Sequence, residues 1–190
     1  RSTLFPYTTL FRSRSVFYPG THAAVTTGGK EQAASITIAK IEEICSLIPS
    51  LSNEINWDRG KTKKSKDNVT YLFKNGSTID ILAARQSSRG QRRTCIVVEE
   101  AILMDGDVLN EVIVPTTNID RFLPDGSFNP DELVNKSQTF ITTAGWKNSF
   151  PYDKLIETLI NSIVEPENYM IMGGTYETDR DRKSGSAGMP

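Results

Sequence analysis

Cys95-Ile96-Val97-Val98-Glu99-Glu100-Ala101 sets four apolar residues in a row directly before two acids. A strand with one wet face alternates apolar and polar residues, whereas a continuous run suits a strand covered on both faces, as in a parallel sheet. The stretch 94–98 therefore predicts a buried central strand whose acidic end lies at the sheet's carboxyl edge.

Upstream of it, the segments 69–73 and 78–81 do alternate, and Lys74-Asn75-Gly76-Ser77 between them carries an Asn-Gly turn, so the pair predicts a β-hairpin. A lysine-rich stretch, 59–67, precedes it. Earlier still, Ala33, Ala34, Ile38, Ile41, Ile44, Leu47 and Ile48 recur at three- and four-residue steps and stop at Pro49, which predicts an amphipathic helix over 30–47. Residues 15–18 and 23–27 are short β-prone stretches, separated by Pro19-Gly20 and closed by Gly28-Gly29. Downstream, the pattern predicts a helix or turn from Asp107 to Val114, an exposed excursion over 123–131 and a second apolar strand over 138–143. An amphipathic helix over 152–164 and a third strand over 169–172 follow. Strands alternating with helices predict an α/β fold: an open, mostly parallel sheet with helices on both faces.

Twenty-two Lys and Arg against 23 Asp and Glu give the 190 residues a formal charge of −1, so any contact with nucleic acid has to be local. Cys45 and Cys95, fifty positions apart in apolar runs, are expected to be free thiols, and a single histidine, His22, leaves no zinc site of Cys and His ligands. No window of ~18 apolar residues predicts a membrane span, and the composition is of a soluble, cytoplasmic type. Residues 1–13 resemble a translated sequencing adapter and are set apart as an artefact of cloning or assembly. The charged, Gly- and Ser-rich residues 178–190 are expected to form a flexible tail.

The paired acids carry the strongest chemical signal. At the end of a buried strand, one carboxylate can hold Mg²⁺ and the next can polarise an attacking water, since phosphates of a bound nucleotide sit at that edge. The bland alternative is an apolar strand running into a solvated loop. Arg89, in the basic loop Ser87-Ser88-Arg89-Gly90-Gln91-Arg92-Arg93, is placed to meet a γ-phosphate of its own or a neighbouring subunit, whereas Arg92 and Arg93 read as solvated or salt-bridged. Thr142 and Thr143 end the strand 138–143 with hydroxyls able to sense the phosphate or the water, or simply with two β-prone residues. The phosphate-loop pattern G-x-x-x-x-G-K-[ST] does not occur: Gly28-Gly29-Lys30-Glu31 matches only its end, Ala24 stands where the first glycine belongs, and Glu31 would repel phosphate. Lys61, Lys63, Lys64 and Lys66 either face DNA phosphates or are solvated.

Taken in order, these segments resemble the large subunit of tailed-bacteriophage terminase, the ATP-driven motor that packages DNA into capsids, over most of residues 15–180. The resemblance rests on Tyr18-Pro19-Gly20, Gln32-Ala33, Asn75-Gly76-Ser77, Arg89-Gly90, Ile96 to Ala101, Leu109-Asn110-Glu111-Val112-Ile113 with Pro115, and Thr142-Thr143-Ala144. It implies a P-loop NTPase core of the ASCE, RecA-like kind, incomplete at its N-terminus. Residues 14–177 would be a partial ATPase domain without its phosphate loop, with a nuclease domain beyond the tail. Glu99 would occupy the Mg²⁺ position, where the family usually has Asp. Glu100 would be the catalytic carboxylate and Arg89 an arginine finger. Thr142, Thr143 and Ala144 would be the coupling motif that links hydrolysis to DNA movement, with Thr142 and Thr143 contacting the bound nucleotide. ATP and Mg²⁺ would be the cofactors. The implied partners are double-stranded DNA, further copies in a ring, the terminase small subunit and the portal protein, in the host cytoplasm at the procapsid. A helicase-type DNA-dependent ATPase shares the acidic and Thr-bearing strands, and a non-enzymatic α/β nucleic-acid-binding or assembly module remains a third reading. The strands ending at Glu99 and Thr143 are predicted to be adjacent and parallel, with both ends facing one cleft; antiparallel pairing, or carboxylates pointing to opposite sides, would favour the third reading.

Overall fold

The computed structural model describes residues 14–58, 60–123, 125–129, 131–132, 135–143, 146–147 and 149–171. The adapter-like segment, the tail from 178 and Met172 lie outside the described residues. The strands are β1 (His22–Thr26), β2 (Lys63–Lys64), β3 (Val69–Leu72), β4 (Thr78–Ile81), β5 (Cys95–Val98) and β6 (Ser137–Phe140); the longer helices are α1 (Lys30–Leu47), α2 (Pro49–Glu54) and α3 (Phe150–Val164). They form an α/β fold on one mixed six-stranded sheet, in the order β2-β3-β4-β1-β5-β6. Strands β4, β1, β5 and β6 run parallel, while β3 pairs antiparallel with β4, and β2 with β3.

Alternation in each strand follows from what covers it. On one face Ala23, Val25, Ile79, Ile81, Cys95 and Val97 meet α1 through Ala33, Ala34 and Ile41. Each isoleucine so buried contributes roughly 1.5–3 kcal/mol relative to exposure. On the other face Ala24, Ile96 and Val98 are covered by Ala101, Met104, Leu109, Val112 and Ile113. All four residues of β5 are therefore buried, as its continuous apolar run requires. β3 and β4 have a covered face and an open one, and alternate accordingly.

The cover of the second face is not a long helix. A single α-turn (Gly106–Val108), capped by Asp105 Oδ1 accepting the N–H groups of Asp107 and Val108, passes into a π-helix (Leu109–Ile113) and a 3₁₀ turn (Val114–Thr116). Pro115 has no N–H to give the carbonyl four residues back, so a regular α-helix cannot close there. Residues 14–17 are helical rather than β, with the Tyr18 N–H donating to the Arg14 carbonyl at 2.9 Å before Pro19-Gly20 turns the chain. Residues 169–171 are not in a strand. α3 forms as its period predicts, yet it buries none of its residues fully, and Ile163 is 77% exposed. Both cysteines are free, and burial pushes the Cys95 thiol up to about 11. No helix among the described residues is long and apolar enough to cross a membrane.

Three segments remote in sequence meet at the Tyr18-Pro19-Gly20 turn. Asn75 Nδ2 donates to the Ser15 and Val16 carbonyls, both at 2.9 Å, and Ser77 Oγ donates to the Tyr18 carbonyl. Gly20 has φ +76°, and a Cβ there would lie 2.6 Å from the Phe122 carbonyl oxygen, so only glycine fits under the base of the 119–135 loop. The excursion is exposed at its tip, residues 125–129, but Arg121 at its base is buried.

On the open side of the hairpin, His22 Nδ1 and Thr78 Oγ1 share a hydrogen at 2.9 Å, and Arg93 holds Asp80 through two hydrogen bonds, of 3.0 and 2.6 Å. Burial raises the Asp80 carboxyl, against the pull of Arg93. Burial, and then the Arg93 charge, lower the imidazole of His22 below 6.5. Between the lowered value and 6.5 the unfolded chain binds more protons, so the contribution of the neutral ring is full above 6.5 and is lost as pH falls through the folded value. The His22 Cε1–H resonance should accordingly titrate with a midpoint below 6.5; a midpoint at or above that value would show a freely solvated ring.

Candidate active site

The acidic pair leaves β5 at the carboxyl edge of the parallel strands. The Glu99 N–H still donates to the Thr26 carbonyl of β1 at 2.8 Å, which extends the ladder by one residue. Glu100 then turns the chain through the left-handed region, φ 52° and ψ 51°. A non-glycine residue held there costs on the order of 1–3 kcal/mol, and such residues concentrate where a side chain must be aimed. The turn sends Ala101 beneath β6, where its N–H meets the Ile141 carbonyl at 3.0 Å and the methyl group is fully buried.

β6 lies beside β5 and runs parallel to it, with Val98 opposite Phe140. The strands that end in the acids and in the threonines are thus adjacent and parallel, which meets the pairing half of the prediction. The contact continues beyond the strands: the Ile141 N–H donates to the Val98 carbonyl at 2.8 Å, and the Ile102 N–H donates to Thr142 Oγ1 at 3.2 Å. Thr142 Oγ1 in turn donates to the Thr143 carbonyl at 3.1 Å. A hydrogen bond thus joins Thr142 to Ile102, in the turn that follows Glu100. Both carboxylates are half-buried, while Thr142 and Thr143 are exposed; Ala144 lies outside the described residues.

Next to this edge is the turn after β1. Thr27 Oγ1 donates to the Gly29 carbonyl at 2.9 Å and approaches Gln32 Oε1 at 3.4 Å. A Cβ at Gly28 would come within 3.0 Å of the Leu103 carbonyl oxygen, so glycine lets this turn pack against the one that follows Glu100. Gly28-Gly29-Lys30-Glu31 is no phosphate cradle here. The Gly29 N–H is spent on Thr27 Oγ1 at 3.1 Å, and Glu31 pairs with Lys66 at 3.0 Å. Sequence reasoning gave Thr27 no role and quoted Gln32 only as opening the helix, although an apolar strand ending in a threonine pair and a small residue is the pattern that drew attention to Thr142.

Arg89 is not joined to the acidic pair. It follows a 3₁₀ turn (Gln86–Ser88) midway along the connection from β4 to β5, where its guanidinium donates to Gln86 Oε1 at 2.8 Å and to Glu111 Oε2 at 3.2 Å. Both partners of the Arg89–Glu111 ion pair are exposed, so little holds it together. A shallow cavity of about 190 Å³ opens there between Arg89, Arg92, Glu111 and Asn118, apart from Glu99 and Glu100. Arg93 is salt-bridged to Asp80, one of the two readings its sequence context allowed.

Among the described residues no group of three or more His, Cys, Asp and Glu side chains could hold a metal ion. The donor set at the β5 end is at most two carboxylates. That fits Mg²⁺, which commonly takes one or two carboxylates and completes its shell with water and phosphate, and does not fit an all-protein cage.

The structural neighbours of the chain are phage large terminases. The large terminase of a thermophilic bacteriophage, in one crystal form, superposes with a TM-score of 0.57 at 9% identity, over 94% of this chain and 38% of that one. A second crystal form of the same protein gives 0.49 at 12% identity, over 82% and 32%. The large terminase ATPase domain of Thermus phage P74-26 gives 0.36 at 12% identity, over 82% and 78%, too slight a likeness to argue from. No family model matches the chain, and no curated protein matches it. The likeness to the thermophilic phage protein is one of fold, and the chain spans about 38% of that protein's length.

Proposed function

We propose that this chain is the central sheet of a terminase-like ATPase domain, a fragment of a motor that couples ATP hydrolysis to movement of double-stranded DNA. The observation that carries the reading is the pairing of β5 with β6, with the Ile102 N–H bonded to Thr142 two residues after the strained Glu100. In this reading Glu99 would hold Mg²⁺, which would neutralise phosphate charge, and Glu100 would accept the proton of the water whose oxygen bonds to the γ-phosphorus as the bond to the ADP oxygen breaks. Thr142 registers the change through Ile102. Bound ATP supplies the phosphoryl group, and Arg89, released from Glu111, offers its charge to a neighbouring copy in a ring. The small subunit and portal protein are further expected partners of the same proposal.

In this reading a phosphate loop is carried by a further strand, and strand spacing favours one edge of the sheet for it. Among the described residues β6 pairs with β5 alone, so its far edge is open. A strand added to β6 would lie two places from β5, roughly 10 Å away, whereas one added beyond β2 would lie five places away, roughly 24 Å. The first arrangement brings a triphosphate nearer to Glu99 and Glu100 and is the one the reading requires. The full-length protein containing this sequence should hydrolyse ATP and do so faster with duplex DNA; no turnover under either condition would overturn the proposal.

A further inference from the structure

The 119–135 loop is latched at its base and holds two aromatic rings out in solvent at its tip. Phe122 and Phe128 meet across an isolated antiparallel bridge, with ring centroids 5.9 Å apart and planes at 64°, yet they remain 56% and 53% exposed. The turn between them is closed by the Leu123 N–H on the Ser127 carbonyl and the Gly126 N–H on the Leu123 carbonyl, both at 2.8 Å. Asp125 Oδ1 accepts the Ser127 N–H at 2.9 Å and the Ser127 hydroxyl at 2.7 Å, which leaves Oδ2 without a hydrogen bond among the described residues. At the base, the Phe122 carbonyl abuts Gly20 and Arg121 is gripped by Glu132. The rings are therefore fixed before any contact is made, and covering them costs little ordering. Single apolar side chains on a surface need no explanation, but two touching rings on a braced loop are the kind of anchor that dominates protein interfaces.

Charge says what covers them. Residues 122–135 contain Asp125, Asp131 and Glu132 and not one Lys or Arg. Glu132 is neutralised by the buried Arg121, whereas Asp125 and Asp131 are exposed and have no ion-pair partner among the described residues. We infer that this tip docks a basic segment of a partner protein, with arginine side chains stacked on Phe122 and Phe128 and paired with Asp125 and Asp131. Guanidinium groups suit both surfaces, since they stack on aromatic faces and bind carboxylates in a fork. The base of the loop shows the same pairing within the chain: Arg121 lies 5.6 Å over the Tyr18 ring while its Nε donates to Glu132 at 2.8 Å. The acids of the tip repel phosphate, so a nucleic acid or an anionic membrane is the wrong occupant. The inference goes beyond the proposed function and does not rest on it. The loop is tied to Pro19, ahead of β1, whereas Glu99 and Glu100 follow the opposite end of β5, which runs parallel to β1.

The test is fluorescence anisotropy of a labelled peptide of repeated Arg-Leu-Gly with the 190-residue chain, beside a peptide in which Glu replaces each Arg. Wild type should bind the Arg peptide and not the Glu peptide. Phe122→Ser with Phe128→Ser should weaken that binding by more than about tenfold. Asp125→Asn with Asp131→Asn keeps the acceptor that closes the Ser127 turn and removes only charge. It should weaken binding by about fivefold or more at low salt and have little effect at about 1 M salt, where charges are screened within roughly 3 Å. A control on α3, whose apolar side is also exposed, is Asp153→Asn with Glu165→Gln; it should leave the affinity within about twofold. Equal binding of the two peptides, undiminished binding by either tip variant, or a larger loss in the α3 control would each overturn the assignment. So would a wild-type chain that dimerises in sedimentation and is returned to monomer by the Phe variant, since the occupant would then be a second copy. No nucleotide is present, so this result stands apart from that of the hydrolysis measurement.

Discussion

Glu100→Gln in the full-length protein is expected to lower ATP turnover by roughly 10²–10⁴-fold, the usual worth of a positioned general base, while ATP affinity changes by no more than about twofold. The substitution keeps the shape of the side chain and its hydrogen bonding to solvent and removes only the negative charge and the ability to accept a proton. The left-handed backbone at 100 is equally accessible to Gln, and the turn beyond it is fixed by the Ala101 and Ile102 N–H groups rather than by the Glu100 side chain. Folding should therefore be unaffected, and loss of turnover is readable as chemistry. Phosphate release at saturating ATP gives the first quantity and displacement of a fluorescent nucleotide the second. Undiminished turnover would remove Glu100 from the mechanism. A parallel loss of affinity would move it from the water to the metal, the place given above to Glu99.

What could be read from the sequence was whatever local periodicity dictates. α1 was legible because one helix face packs on one sheet face, which spaces the buried Ala34, Thr37, Ile41 and Ile44 by three and four. β5 was legible because covers on both sides admit only apolar residues. The hairpin was legible from the Asn75-Gly76 turn and from the open face that makes β3 and β4 alternate. The acids and threonines could be picked out as strand ends, but that β5 and β6 are neighbours is a property of the sheet order, which no local pattern carries. The strain at Glu100 was likewise silent, since positive φ announces itself in a sequence only through glycine or asparagine. Residues 107–114 read as a helix or turn; that the chain takes three different helical geometries over 106–116 emerges only when each carbonyl is followed to its partner. Arg89 looked like a residue aimed at phosphate and instead meets Glu111, which sequence separation of 22 residues kept out of sight.

The role of Arg121 was the least visible of all, and its removal should produce the largest loss of stability. Its guanidinium reaches 102 positions back to the Pro19 carbonyl at 2.7 Å, donates through Nε to Glu132 Oε2 at 2.8 Å and through Nη2 to Glu132 Oε1, and lies 5.6 Å over the Tyr18 ring. The Arg121 N–H is held by Asn135 Oδ1 at 2.7 Å. Side-chain exposures of 7% and 14% place the Arg121–Glu132 pair out of reach of most screening water. Removing one member of a buried pair leaves the other charge desolvated and unpaired, which costs about 3–5 kcal/mol, a large share of the roughly 5–15 kcal/mol that a domain typically has. Arg121→Ala should thus shift the urea midpoint strongly downward. Replacing both members, Arg121→Met with Glu132→Leu, removes the stranded carboxylate and should recover more than half of the loss. A single variant within about 1 kcal/mol of wild type would mean that water reaches Glu132 and that the 119–135 loop is not latched to the Tyr18-Pro19-Gly20 turn. Recovery in the double variant would separate the cost of the bare charge from that of the hydrogen bond to Pro19, which the methionine cannot restore.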